Sequence, residues 1–336
     1  MDIQKKIFDI IREQLSHNYL LVDVVGDILG IGSDSSYRRI RGEKKLTVTE
    51  VVKLCTYFNI SIDFAMGNTM NNLLFKYNSL DMNNMNNYQE YIKQLTETIS
   101  DLSNAKSKEM YFTAEDIPIF HFLPYRELML FRVYIWFIAV SSGNTIDFKQ
   151  FLDQIKNKNT LFDNYDKMLK GYNMISSTEI WTKGSIDPLL RLIDFYYDMG
   201  LFGSKEMATM LCSQLLSLIK NVHIWTENGK KNDASSYRLF LSPVNSDNCF
   251  MLLKKNGITT SVTIRLYTIN SIITTNQTFC EKTDQWINNI ISKSTLLSGT
   301  SARERNMFFK DAESKILNLV NKIKNPIPQS NEISHF

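Results

Sequence analysis

Five cations fall within thirteen residues of this chain, Arg38, Arg39, Arg41, Lys44 and Lys45, opposed there by Asp34 and Glu43 alone. Five minus two leaves +3, as much as the formal charge of +3 on all 336 residues, so the excess is local rather than spread. A guanidinium presents a planar fork of donors that matches phosphate oxygens or the N7 and O6 acceptors of guanine, worth ~1–3 kcal/mol of discrimination per base pair. Ammonium groups just past such a helix neutralise phosphates and set register without reading sequence. The chemistry this pattern predicts is recognition of a polyanion, with the arginines reading and the lysines anchoring. An ordinary solvated helix face in a protein-binding bundle is the plainer alternative.

The remaining reactive side chains predict no chemistry of their own. Cys55, Cys212, Cys249 and Cys280 are scattered without a Cys-x-x-Cys pair, which argues against zinc. His17, His121, His223 and His335 lie far apart and read as satisfied or solvent-facing. No glycine-rich phosphate loop, nucleophile elbow or His-Glu-x-x-His pattern is present, and the adjacent Glu115 and Asp116 would face different ways in a helix. No catalytic residue, metal or cofactor is expected, and the chain is not read as an enzyme. Tyr134, Trp136, Phe137, Phe195, Tyr196 and Tyr197 could line a small-molecule pocket, although aromatics at helical spacing more often form core.

The elements that would position the cations are legible as a first domain over residues 1–69, five short helices punctuated by glycines and caps. Ile3, Ile7, Ile11 and Leu15 recur at helical spacing, and Leu21, Val24, Val25, Ile28 and Leu29 form a second run ended by Gly30. Gly26 offers a small surface where the next helix would cross, and Gly30 a turn without a Cβ penalty. The third helix, capped by Ser33, covers 33–42. Placing Tyr37 and Ile40 inward turns Ser35, Arg38 and Arg39 outward, with Asp34 and Arg41 at the flanks. Thr47 or Thr49 caps a fourth helix holding Val51, Val52, Leu54, Cys55 and Phe58, and Ser61–Met66 makes a fifth turn.

With these residues in view, the chain resembles the lambda-repressor-like, Xre-type helix-turn-helix regulators over roughly residues 6–67. Leu29-Gly30-Ile31 resembles the turn of that family. Ser36-Tyr37-Arg38-Arg39-Ile40-Arg41-Gly42 resembles its recognition helix and exit, and Thr49 to Asp63 its fourth helix and following turn. Counted from Gly30, the inward aromatic and isoleucine arrive one residue late, which leaves open whether Asp34, Ser35 or Ser36 begins the recognition helix. The resemblance implies a five-helix bundle that binds operator half-sites in double-stranded DNA as a homodimer. Ser33, Asp34, Ser35, Ser36, Arg38, Arg39, Arg41, Lys44 and Lys45 would then form the DNA-binding set. Asp116 to Phe122 and Lys293 to Gly299 resemble segments of regulators of this architecture whose C-terminal region has no assigned chemistry. An adaptor or antitoxin-like module whose bundle docks on a protein is the alternative.

Beyond the first domain, residues 70–108 shift to Asn, Met, Ser and Lys and read as a linker. Within it Met85, Tyr88, Ile92, Leu95, Ile99 and Leu102 follow the a/d spacing of a short coiled coil, either a candidate dimerisation helix or a single helix packed on its own domain. Residues 109–325 read as a mainly helical sensor or dimerisation domain open to a small-molecule or protein effector. Its helices are expected at Tyr125–Ser141, Asp147–Leu169, Asp187–Met199, Lys205–Ile219, Thr278–Ser292 and Ser301–Lys324. Three strands fall within 237–267, where Asn256-Gly257 signals a hairpin, and Ser301 with Glu304 forms a capping box. Residues 326–336 read as a flexible tail. The fold class expected is α+β, mainly α: a five-helix bundle, a helical linker, and a helical domain with a small antiparallel three-stranded sheet. No segment reads as a signal peptide, and the longest apolar run, Leu128 to Val140, falls short of the ~20 residues a span needs. A cytoplasmic protein with unpaired thiols is the expectation.

Overall fold

The computed structural model of the chain describes residues 3–15, 20–58, 60, 62, 73–78, 80, 84–113, 115–140, 146–155, 158–246 and 248–325. It divides into two compact units, Met1–Leu74 and Phe75–Phe336. The boundary falls near the start of the expected linker, and the rest of that segment belongs to the second unit.

The first unit holds α1 (Ile3–Gln14), α2 (Leu21–Leu29), α3 (Ser33–Ile40) and α4 (Val48–Tyr57). Ile7, Phe8 and Ile11 of α1 meet Val25 and Leu29 of α2, Leu54 and Cys55 of α4, and Ile60 in one small core. Helical spacing puts each set on one face, and burying that face stabilises helices too short to persist alone. Of the two candidate caps for α4, Thr47 is used: its hydroxyl accepts from Glu50 N, and Glu50 accepts from Thr47 N at 2.9 Å. Ser33 is not a cap, since α3 begins at Ser33 itself with Gly32 before it. The expected fifth turn at 61–66 lies outside the described residues apart from Ile62.

The second unit is organised around a sheet. Its elements in order are β1 (Lys76–Asn78), α5 (Met85–Ser103), β2 (Lys108–Thr113), a 3-10 turn (Ile119–Phe122), α6 (Arg126–Val140), α7 (Phe148–Ile155) and α8 (Asn159–Asn173). There follow β3 (Ser176–Trp181), α9 (Asp187–Asp198), α10 (Lys205–Asn228), β4 (Lys230–Asn232), β5 (Ser235–Leu241), β6 (Phe250–Lys255) and β7 (Ile258–Arg265). The chain closes with β8 (Ser271–Thr274), α11 (Gln277–Ser292), β9 (Thr295–Leu296) and α12 (Ala302–Lys324). The strands run β1-β8-β7-β6-β2-β3-β5-β4, with β9 also on β5. β2 pairs parallel with β3 and β3 parallel with β5, while the other pairs are antiparallel.

This nine-stranded mixed sheet overturns the small antiparallel three-stranded sheet expected from sequence. The expected strands exist as β5, β6 and β7. The Asn256-Gly257 hairpin joins the last two with φ of 53° and 78° at its centre. The central strands β2 and β3 gave no period-2 signal because they are covered on both faces: Ser177, Thr178, Glu179, Ile180 and Trp181 are all buried. On one face of the sheet α11 lays Cys280 and Ile287 against Tyr111, Ile180, Phe240, Leu252 and Val262. The larger core holds most of the other helices.

Further expectations are decided in the second unit. The coiled-coil stripe is occupied within the chain: Tyr88, Ile92, Ile99 and Leu102 are buried in the core beside α8, with Tyr88 OH 2.7 Å from Tyr165 OH. Gly171 of α8 lies so close to Ile99 that a Cβ there would sit 2.9 Å from its Cγ2. The stretch 147–169 is two helices, α7 and α8, rather than one. Of the aromatic set, Tyr134 packs on Phe148, Phe151 and Tyr196 with ring centroids 5.3, 5.4 and 5.5 Å away, Phe195 is exposed, and Trp136 lines a small cavity of about 80 Å³ with Tyr91, Phe112 and Met251. Ser301 precedes α12 without making a side-chain cap.

The centre of the second unit is polar. The Glu179 carboxylate, on β3, lies 2.9 Å from His121 Nε2 and accepts from Tyr172 OH at 2.6 Å, Trp181 Nε1 at 2.9 Å and Tyr237 OH at 3.0 Å. Burial by itself would push this carboxyl up. The facing His121 and the surrounding donors outweigh burial and hold it below the usual carboxylate range. Among the described residues no helix is long and apolar enough to cross a membrane.

Candidate nucleic-acid interface

The corner between α2 and α3 is built by two glycines. Gly30 closes α2 in the left-handed region, φ 68° and ψ 42°, where a Cβ would be strained. At Gly26 a Cβ would stand 3.0 Å from Ile31 O and 3.3 Å from Ser36 Oγ. A larger residue there would push α3 off α2. The predicted crossing is therefore present, and Ser36 is the residue that crosses.

That crossing sets the rotation of α3, and the rotation differs from the sequence reading. Ser36 and Arg39 are buried, Ile40 is half-buried, and Tyr37 is 50% exposed instead of pointing inward. Arg39 is thus withdrawn from the outward set. Its Nη2 donates to Glu50 Oε1 at 2.7 Å and its Nη1 to Ser35 O at 3.1 Å. Hydrogen bonding from Arg39 is the chief reason the Glu50 carboxyl titrates below its ordinary value. The physical cause of the misreading is that Tyr37 and Arg39 are both amphipathic. An apolar-in, charged-out rule placed the ring inside, whereas the small Ser36 hydroxyl was needed under Gly26.

Ser33, Asp34, Tyr37, Arg38 and Arg41 remain exposed on one side of α3, with Ser35 half-buried. The Arg41 guanidinium lies 5.7 Å from the Tyr37 ring centroid. Glu43 stands 3.9 Å from Arg38 Nε and 3.8 Å from Arg41 Nη1, loose exposed contacts that solvent screens. The loop beyond is tied down by Gln4 of α1, which donates to Arg39 O and Lys44 O and accepts from Leu46 N at 2.6, 2.8 and 2.9 Å. Lys44 and Lys45 are exposed on this pinned loop. Sequence reasoning passed over Gln4 and Glu50, which hold the surface from behind. Glu50 was legible as a capping-box partner three residues after Thr47, but Gln4 carried no local signal because its partners lie some forty residues away.

The surface offers a short helix with hydroxyl, carboxylate, phenol and two guanidinium groups in a row, backed by ammonium groups. Such a helix fits the major groove, where arginine meets guanine and an aromatic edge meets a thymine methyl. Compared with protein families, with curated proteins and with solved structures, the chain matches none.

Proposed function

We propose that the chain is a sequence-specific DNA-binding transcription regulator whose α3 enters the major groove. The observation that carries this reading is the glycine-built α2–α3 corner, which presents Ser33, Asp34, Tyr37, Arg38 and Arg41 outward beside the loop of Lys44 and Lys45. Arg38 and Arg41 read bases, Tyr37 contacts a base edge or phosphate, and Lys44 and Lys45 neutralise phosphates. Arg39 serves by holding α3 on α4. In this reading the protein acts in the cytoplasm as a homodimer on paired half-sites through a surface other than the occupied stripe of α5, and the second unit serves dimerisation or sensing. The test is an electrophoretic shift with genomic fragments followed by footprinting of what is retained. Protection of a short defined site, lost in the Arg38→Ala, Arg41→Ala chain, is the expected result. Absence of any retained fragment at low salt overturns the proposal.

One observation favours docking on a protein instead: a groove of about 890 Å³ between α2 and α4, lined by Leu20, Val24, Ile28, Val52 and Tyr57 with Asp23 and Asp27 beside them. The same fragment assay separates the readings, since an adaptor retains no DNA.

A further inference from the structure

The second unit carries a cleft of about 710 Å³ at the carboxyl ends of its parallel strands. Glu115 comes shortly after β2, Thr182 and Lys183 follow β3, and Ser242 follows β5, so the segments leaving the three parallel strands β2, β3 and β5 all contribute to its wall. In open sheets of parallel strands this end is where ligands bind, because the connections diverge there and leave a crevice. The volume lies within the ~300–1,000 Å³ usual for small-molecule sites.

Its charge is not self-compensated. Lys183, Arg191 and Lys293 come from three separate segments and converge on the cleft. Among the described residues none of the three is in an ion pair. Asp187, also in the lining, is engaged by Lys315 at 3.0 Å, so Glu115 is the carboxylate left to oppose three cations. Like charges drawn together on a fold without a counter-charge cost stability, and a bound anion removes that cost.

The walls are preformed. Thr182 N donates to Ser185 Oγ at 2.9 Å and Gly184 N to Thr182 Oγ1 at 3.3 Å, while Lys315 Nζ reaches Lys183 O at 3.3 Å. On the opposite side Ser242 N donates to Trp181 O at 2.8 Å, and Ser242 Oγ to Val244 O at 2.7 Å. Loops held this way lose little further freedom when a ligand arrives. Pro188 and Pro243 add apolar surface beside the cations.

We infer that this cleft binds a phosphorylated small molecule of nucleotide size, its phosphate held by Lys183, Arg191 and Lys293 and its remainder against Pro188 and Pro243. The inference concerns residues 75–336 and stands whether or not the first unit binds DNA.

Calorimetric titration of the full chain with AMP, and separately with inorganic phosphate, tests it. Saturable binding at one AMP per chain, tighter than inorganic phosphate, is expected. Arg191→Gln and Lys183→Gln should each weaken AMP about tenfold or more, as loss of a charge-assisted hydrogen bond does. Both side chains are exposed and each substitution relieves like-charge repulsion, so the melting temperature without ligand should not fall; Lys293→Gln serves as a third exposed variant. No saturable AMP binding, equal binding by the variants, or displacement of AMP by a duplex of random sequence would overturn the inference, the last assigning the cleft to nucleic acid.

Discussion

In residues 1–74 a charged pair, Arg39 with Glu50, sits beside a small core that holds eight buried apolar residues among those described. In residues 75–336 a carboxylate, Glu179, sits at the middle of a far larger core with four side chains around it. The first pair orients a surface: together with the Gly26–Ser36 crossing it holds the rotation of α3 and so decides which arginine faces solvent. The second organises an interior, tying β3 to the 3-10 turn, α8 and β5 through His121, Tyr172 and Tyr237. A buried polar group contributes specificity of arrangement in both, but only the first changes what the outside world meets.

The comparison breaks most visibly at Glu179. Glu179→Ala should destabilise the second unit by ~3–5 kcal/mol, because four buried partners lose their acceptor, read as a fall in the denaturant midpoint. Next comes Arg39→Met, expected to cost the first unit ~1.5–3 kcal/mol by removing the charge-assisted partner of Glu50, which keeps the Thr47 N–H. Its unfolding transition should fall while that of the second unit stays in place. Gly30→Ala follows, at ~1–2 kcal/mol for a Cβ in the left-handed region, and DNA retention should weaken with it as the corner opens. Arg38→Ala sharpens the contrast with its neighbour, since stability should be unchanged for an exposed side chain while site-specific retention falls by ~1–3 kcal/mol. An Arg38 change that unfolds the unit, or an Arg39 change that leaves it intact, would reverse the roles assigned here.

Acid should act on both units in the same direction. Glu50 and Glu179 titrate below the ordinary glutamate value when folded. Their contributions are therefore complete above the unfolded value of ~4.3 and fade as the pH falls through the lower folded values. Denaturant midpoints followed between about pH 6 and pH 3 should fall for both transitions. In the Arg39→Met chain the first transition should lose part of that dependence, because the chief cause of the Glu50 shift is gone.

Legibility differed residue by residue. Gly26 and Gly30 announced the corner, since no other residue type suits a close crossing followed by a left-handed turn. Thr47 with Glu50 announced the start of α4, and Asn256-Gly257 its hairpin. Arg39 was misplaced because a long cationic side chain reads as solvent-facing until a carboxylate eleven positions on is brought against it. The stripe of α5 was legible as apolar, but a partner helix and the chain's own domain were both open as its cover, because the spacing says that a face is buried but not what buries it. The cleft after β2, β3 and β5 left no trace, for its cations are scattered over a hundred residues.

What the order of residues determined unaided is local: where helices begin and turn, which faces are apolar, and where the basic cluster lies. These depend on neighbours within a turn or two, so spacing alone encodes them. Only the tertiary structure decided the rotation of α3, the partner of α5, the parallel centre of the nine-stranded sheet and the meeting of Lys183, Arg191 and Lys293. Each of those depends on contacts between segments far apart in the chain, and the pattern along one strand or helix does not carry the identity of what packs across from it.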